Sequence, residues 1–280
     1  MKNLVIRTIS GTIFVSIVLA AILWQPPYLF GVVFLAITIL GLREFYSLSG
    51  RIDSGVKPLK PFSIISGAIL FLCFFLLFFQ KEIFQGKMSF APIQIFGIYI
   101  LCVITLFLSE LFRNKKNPVR NIALSLMGHI YVALPFCFIC MMESEHKIYV
   151  LAFFLIIWAS DTGAYLVGIC IGKHKMFERV SPKKTWEGLF GGMIFALITG
   201  FIFSKTTESD GLLELWQWLA FALTVFAFGT LGDLTESLFK RSLNIKDSGS
   251  FMPGHGGVLD RFDSAIIAAP VAFLFLTFCN

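Results

Sequence analysis

Long apolar runs separated by short polar breaks dominate the chain. A helix rises about 1.5 Å per residue and the hydrocarbon core of a bilayer is about 30 Å thick, so a crossing needs about 20 predominantly apolar residues. Runs of that kind extend through Trp24, from Tyr28 to Tyr46, Phe62 to Phe79, Pro92 to Phe112 and Ile122 to Met142. Four more run from Ile148 to Ile171, Glu187 to Phe203, Leu215 to Leu231 and Ser264 to Phe278. The pattern predicts an all-α polytopic membrane protein with nine transmembrane helices. The first run has the basic start and apolar middle of a signal peptide, but it is too long and many spans follow, so it reads as an uncleaved helix. Gln25, Pro26 and Pro27 then form a short turn.

The polar breaks test this count, because cytoplasmic loops of membrane proteins collect Lys and Arg. Lys2 and Arg7 precede the first span, and Arg43, Arg51, Lys57 and Lys60 follow the second. Arg113, Lys115, Lys116 and Arg120 follow the fourth, and Lys173, Lys175, Arg179, Lys183 and Lys184 follow the sixth. Lys240, Arg241, Lys246 and Arg261 lie between the last two. The intervening breaks hold only Lys81, Lys87, Lys147 and Lys205. With nine spans the alternation is complete, and it predicts a cytoplasmic N-terminus and a C-terminus outside.

Composition agrees. The 280 residues are 57% hydrophobic and 14% charged, against about 45–50% and about 25% in soluble domains. The net charge of +6 is explained by topogenic loops and implies no nucleic-acid partner. The six cysteines lie almost entirely in apolar runs, where a thiol behaves as a small hydrophobe, and no disulfide framework is expected. Neither an internal repeat nor a low-complexity tail is visible. Residues 1–280 therefore read as a single integral membrane domain, with scaffold helices one to five in 1–145. Helices six to nine and their cytosolic loops, 146–280, carry the candidate chemistry.

Asp161 lies in WASDTGAY, inside the sixth span, where a carboxylate costs about 2.5–3.5 kcal/mol by insertion scales. It is either a structural contact between helices or part of a site. In SPKKTWEG, Ser181, Lys183, Lys184 and Thr185 precede Glu187 at the start of helix seven. Two lysines at a helix N-terminus suit a phosphate, although a basic loop touching lipid headgroups has the same composition. Helix eight ends in GDLTESLFKR, where Asp233 and Glu236 share a face and Lys240 follows at pairing distance. Asp260 and Asp263 repeat the three-residue spacing at the mouth of the last helix. Carboxylates from two helices at one membrane face need a cation between them, and hard oxygen donors suit Mg²⁺. Gly256 and Gly257 allow a close backbone approach to phosphate or a tight turn. His255 is a ligand contact, a proton carrier or a turn residue.

The run from Ser237 to Asp263 resembles the signature of the phosphatidate cytidylyltransferases, also called CDP-diacylglycerol synthases. Its carriers are Ser237, Lys240, Arg241, Lys246, Asp247, His255, Gly256, Gly257, Asp260, Arg261 and Asp263, and only Met252 departs, where Ile, Leu or Phe is usual. SPKKTWEG and the Asp161 region also resemble the family, whereas the first 145 residues do so only in hydrophobicity and span number.

The resemblance implies an Mg²⁺-dependent reaction of CTP with phosphatidate in the bilayer, giving CDP-diacylglycerol and pyrophosphate. It implies catalytic roles for Asp233, Asp260, Asp263 and Lys240, with the three aspartates holding the metal. Substrate contacts fall to Asp161, Ser181, Lys183, Lys184, Thr185, Glu187, Glu236, Arg241, Lys246, Asp247, His255, Gly256, Gly257 and Arg261. A second cation, a homodimer and a bacterial-type inner membrane with a cytosol-facing site belong to the same expectation. The rivals are a transporter, which would show repeated broken helices, and a CTP-dependent kinase of another lipid, which would lack this signature.

Overall fold

The computed structural model describes residues 2–24, 26–52, 55–249 and 256–279, with side chains from Ile9 onward. The helices are α1 (Lys2–Leu23), α2 (Tyr28–Ser47), the short α3 (Ser49–Ile52), α4 (Lys60–Ile83), α5 (Pro92–Arg113), α6 (Pro118–Gly128) and α7 (Leu134–Glu145). After them come α8 (Lys147–Ile171), a hairpin of β1 (Lys175–Phe177) and β2 (Ser181–Thr185), α9 (Trp186–Thr206), α10 (Leu215–Ser242) and α11 (Leu259–Cys279). Proline stands in the first turn of α4, α5 and α6, where its missing N–H costs nothing and its fixed φ favours the helix.

Among the described residues eight helices are long and apolar enough to cross a membrane, and α1, apolar over Ile9–Leu23, is the ninth of the expected set. Helix α5 makes the membrane reading concrete. Its mean hydropathy is 2.3, yet only 17% of its apolar window is buried, and Leu111 and Phe112 stand 73% and 82% exposed. Lipid is the solvent that such a surface suits.

The chain divides into two compact units, Met1–Glu145 with Asp247–Arg261 and His146–Lys246 with Phe262–Asn280. The first has a phenylalanine core in which Phe30 stacks on Phe34 at 4.4 Å and Phe34 meets Phe136 edge-on at 6.3 Å. A buried polar cluster lies beside it. Tyr46 donates to the Ser125 carbonyl at 2.5 Å, Ser63 to the Ser125 hydroxyl at 2.9 Å, and His129 Nε2 lies 3.0 Å from Ser66 Oγ. The expected fifth span is one continuous rod interrupted by a widened π turn at His129–Ala133. Pro135 comes two residues after the turn; it has no N–H to give the Tyr131 carbonyl four residues earlier, which disrupts the regular α-helical ladder there.

In the second unit α8 and α9 cross on a stripe of small residues. A Cβ on Gly163 would lie 2.6 Å from the Phe195 ring, one on Gly191 2.5 Å from Val167, and one on Gly192 2.9 Å from the Ser160 carbonyl. Small residues let membrane helices approach at backbone distance. Helix α10 has 28 residues and is thus about 42 Å long, more than a bilayer core requires. Its polar last turns continue the helix beyond the apolar span's end at Leu231, in keeping with the helical spacing of Asp233, Glu236 and Lys240, and the last helix starts at Leu259, ahead of the expected span start at Ser264. The hairpin is a small addition to the all-α expectation, with Lys175 opposite Thr185 and Phe177 opposite Ser181.

Candidate active site

The acids of the second unit converge because α10 and α11 touch through their backbones. A Cβ on Gly232 would sit 2.6 Å from the Asp263 carbonyl oxygen and 3.1 Å from that of Ser264. The adjacent residue, Asp233, is thereby carried to Asp263. Asp233, Glu236 and Asp161 all lie within electrostatic reach of Asp263, whose Oδ1 accepts the Ser264 N–H at 2.7 Å. Two lysines face these four acids. Lys184 Nζ lies 2.7 Å from Asp233 Oδ2, and Lys240 pairs with Glu236 one turn away on α10. Ser237 donates to Asp233 Oδ1 at 3.2 Å. Glu236 is buried, Asp233 and Asp263 are half-buried, and Asp161 is exposed on α8.

The hairpin delivers Lys184 to this cluster. Successive side chains of a strand point to opposite sides, so Lys184 is half-buried against Asp233 while Lys183 is exposed. Thr185 caps α9, its Oγ1 accepting the Gly188 N–H at 3.2 Å, which satisfies one of the open donors of a helix start. Glu187 holds the preceding loop. Its carboxylate accepts from Lys173 N at 3.1 Å and His174 N at 3.2 Å, and lies 2.6 Å from His174 Nδ1. Arg241 Nε reaches the Val180 carbonyl at 3.4 Å and ties α10 to the hairpin. Ser181 is half-buried, Lys246 exposed.

The first unit holds the remaining candidates. Asp260 Oδ2 accepts the N–H groups of Ser248 at 2.9 Å and Gly257 at 2.8 Å. Gly256 turns the chain at φ 81°, with Asp260 Oδ2 2.7 Å from where its Cβ would lie. The glycine-rich turn therefore gives its Gly257 amide to Asp260. Asp247 and Arg261 are exposed, and His255 lies outside the described residues.

Sequence reasoning passed over Glu44, only 8% exposed. Its carboxylate accepts the N–H groups of Val258 at 2.8 Å and Leu259 at 3.0 Å and the Ser248 hydroxyl at 3.2 Å. The insertion-cost argument that singled out Asp161 holds for the middle of a span and gives no such signal for an acid at the end of the second apolar run.

The donor set fits a hard divalent cation. Among the described residues no three His, Cys, Asp or Glu side chains form a ready-made cage, but Mg²⁺ ordinarily takes one or two carboxylates and completes its shell with water and phosphate oxygens. Asp233 and Asp263, near one another and with oxygen donors only, suit that role.

Fold and site together define an integral, multi-pass membrane protein built around clustered carboxylates and lysines. The family model described as Cytidylyltransferase family matches residues 5–279. Phosphatidate cytidylyltransferases of Staphylococcus epidermidis and Staphylococcus saprophyticus are 38% identical over 184 residues, which is 66% of this chain and 70% of each relative. That of Staphylococcus aureus is 40% identical over the same shares. The chain belongs to the cytidylyltransferase family and is a nucleotidyltransferase.

Proposed function

We propose that the protein transfers CMP from CTP to phosphatidate at the cytosolic face of a bacterial inner membrane, giving CDP-diacylglycerol and pyrophosphate. The observation that carries this reading is the cluster of Asp161, Asp233, Glu236 and Asp263 facing Lys184 and Lys240. It is a site built for a cation and phosphates rather than for proton transfer along a pore. The names of the staphylococcal relatives supply the lipid substrate.

A phosphate oxygen of phosphatidate forms a bond to the α-phosphorus of CTP. The bond from that phosphorus to the α,β-bridging oxygen breaks, and pyrophosphate leaves with the electron pair. The lipid brings its own nucleophile, so the protein must hold two anions together and neutralise them. Lys183, Lys184, Lys240 and Arg241 are the cations for the triphosphate, the departing pyrophosphate and the lipid phosphate. Asp233 and Asp263 would hold Mg²⁺, and the family resemblance adds Asp260 to that role. When bound, the ion would offset charge on the phosphate oxygens and make the phosphorus more electrophilic. A second cation and a homodimer are part of the same reading and rest on family resemblance.

The test is an assay of purified protein with Mg²⁺, labelled CTP and phosphatidate, run with and without EDTA. Wild type should form CDP-diacylglycerol and pyrophosphate one to one, and Asp260→Asn should lose at least a hundredfold in rate. An inactive wild type, or a mutant of equal speed, refutes the mechanism. Cysteines at positions 183 and 240 should react with impermeant thiol reagents only from the cytosolic side.

A further inference from the structure

We infer that Glu44 is a positioning residue that fixes the carboxylate of Asp260. The inference rests on the reading of Asp260 as an active-site acid, but its geometry is independent of it.

Two carboxylates share one short piece of backbone. Ser248 gives its N–H to Asp260 and its hydroxyl to Glu44. Gly257 gives its N–H to Asp260, and a Cβ at that position would overlap the Glu44 carboxylate. The next two amides, Val258 and Leu259, both donate to Glu44. Three consecutive N–H groups at the start of α11 are thus taken by two acids, an arrangement favoured by the open donors and positive end of a helix N-terminus. Gly249 closes the far side, since a Cβ there would lie 2.5 Å from Glu44 Oε1.

Both anchors of Asp260 are therefore in contact with Glu44. If the Glu44 carboxylate is lost, Ser248 and Gly257 lose the surface they are shaped to, and Asp260 loses the fixed pair of amides that sets its orientation. Glu44 itself lies on α2, more than 200 residues away in sequence, in a helix that sequence reading assigns to scaffold.

The test uses Glu44→Gln, which keeps size but replaces one acceptor with a donor, alongside Glu44→Asp, which keeps charge but is shorter, and Ser248→Ala. Supporting partners of this kind typically contribute 10- to 100-fold in affinity or activity. Glu44→Gln should lower kcat by about that factor with KM for CTP within about twofold. Hydrogen exchange measured without metal should speed up at Gly257–Leu259 and stay unchanged in α4. Ser248→Ala should lose less, and Glu44→Asp should fall between. The inference is overturned if Glu44→Gln keeps wild-type exchange at Gly257–Leu259, or if exchange rises throughout the chain and activity falls only with the folded fraction. An inactive wild type sinks the proposed reaction, yet the exchange comparison still decides whether Glu44 holds this segment.

Discussion

Replacing Lys184 by Met removes the partner of Asp233 and leaves that carboxylate beside Asp263, Glu236 and Asp161. The ion pair is 2.7 Å long and its side chains are 27% and 28% exposed. Unit charges about 4 Å apart attract by about 4 kcal/mol at an effective dielectric of about 20. Desolvation and ordering reduce this to a net coupling of about 1–2 kcal/mol, between the values for exposed and buried pairs. Repulsion from the neighbouring acids adds to the loss, so Lys184→Met should destabilise by about 2–3 kcal/mol. At about 2–4 °C per kcal/mol for a chain of this size, its Tm should fall by roughly 4–12 °C. Asp233→Asn should behave differently. It loses the same pair but also relieves the repulsion, so its Tm should stay within about 2 °C of wild type. The double variant should melt like Asp233→Asn alone, while all three lose transferase activity. Tryptophan fluorescence melts in detergent and the CTP assay read the two properties separately. Equal and additive losses from the two single changes would refute the idea that Lys184 balances a crowded group of acids.

Three further substitutions address the framework around the cluster. Gly192→Ala would place a methyl 2.9 Å from the Ser160 carbonyl oxygen and 3.2 Å from Phe226, and overpacking of this kind costs about 1–3 kcal/mol. Gly97→Ala, where nothing lies within 4 Å, should instead stabilise α5 by about 0.5–1 kcal/mol, so opposite Tm shifts are expected from the same substitution. Glu187→Ala frees the Lys173 and His174 amides. Trypsin should then cut after Lys173 and Lys175 several times faster than in wild type, with the rest of the chain equally resistant.

The spans were legible because hydrophobic run length is set by bilayer thickness. What hydropathy reports, however, is where lipid ends and not where a helix ends. The turns from Asp233 to Ser242 and from Leu259 to Asp263 lie outside the apolar runs that end at Leu231 and begin at Ser264, yet they are helical, and for the first of them the helical spacing of Asp233, Glu236 and Lys240 already said so. The hairpin was hidden for another reason. Its strands, KMF and SPKKT, are short, carry a proline and show no alternation of apolar and polar positions. Glu44 was hidden by its position at the end of an apolar run, next to Arg43, where a charge is the ordinary sign of a helix leaving the membrane. Only its three donors, all from residues 248–259, reveal a buried acid.

The two ion pairs of the cluster mark the same boundary between what spacing dictates and what packing decides. Glu236 and Lys240 are four apart on one helix, and helix geometry alone brings them together. Lys184 and Asp233 are 49 positions apart and are brought together by packing: β2 is joined to α9 at the Thr185 cap, α9 fits α10 where a Cβ on Gly200 would lie 2.8 Å from Ala222, and Arg241 of α10 reaches the Val180 carbonyl. The tandem Lys183–Lys184 reads as one basic feature in sequence but divides in the structure. Strand alternation turns Lys184 toward Asp233 and leaves Lys183 exposed. On the proposed reading an incoming phosphate would meet Lys183 without displacing a carboxylate, whereas Lys184 would be shared with Asp233. Loss of Lys183 should therefore raise KM for CTP with little change in Tm, and loss of Lys184 should lower Tm as well.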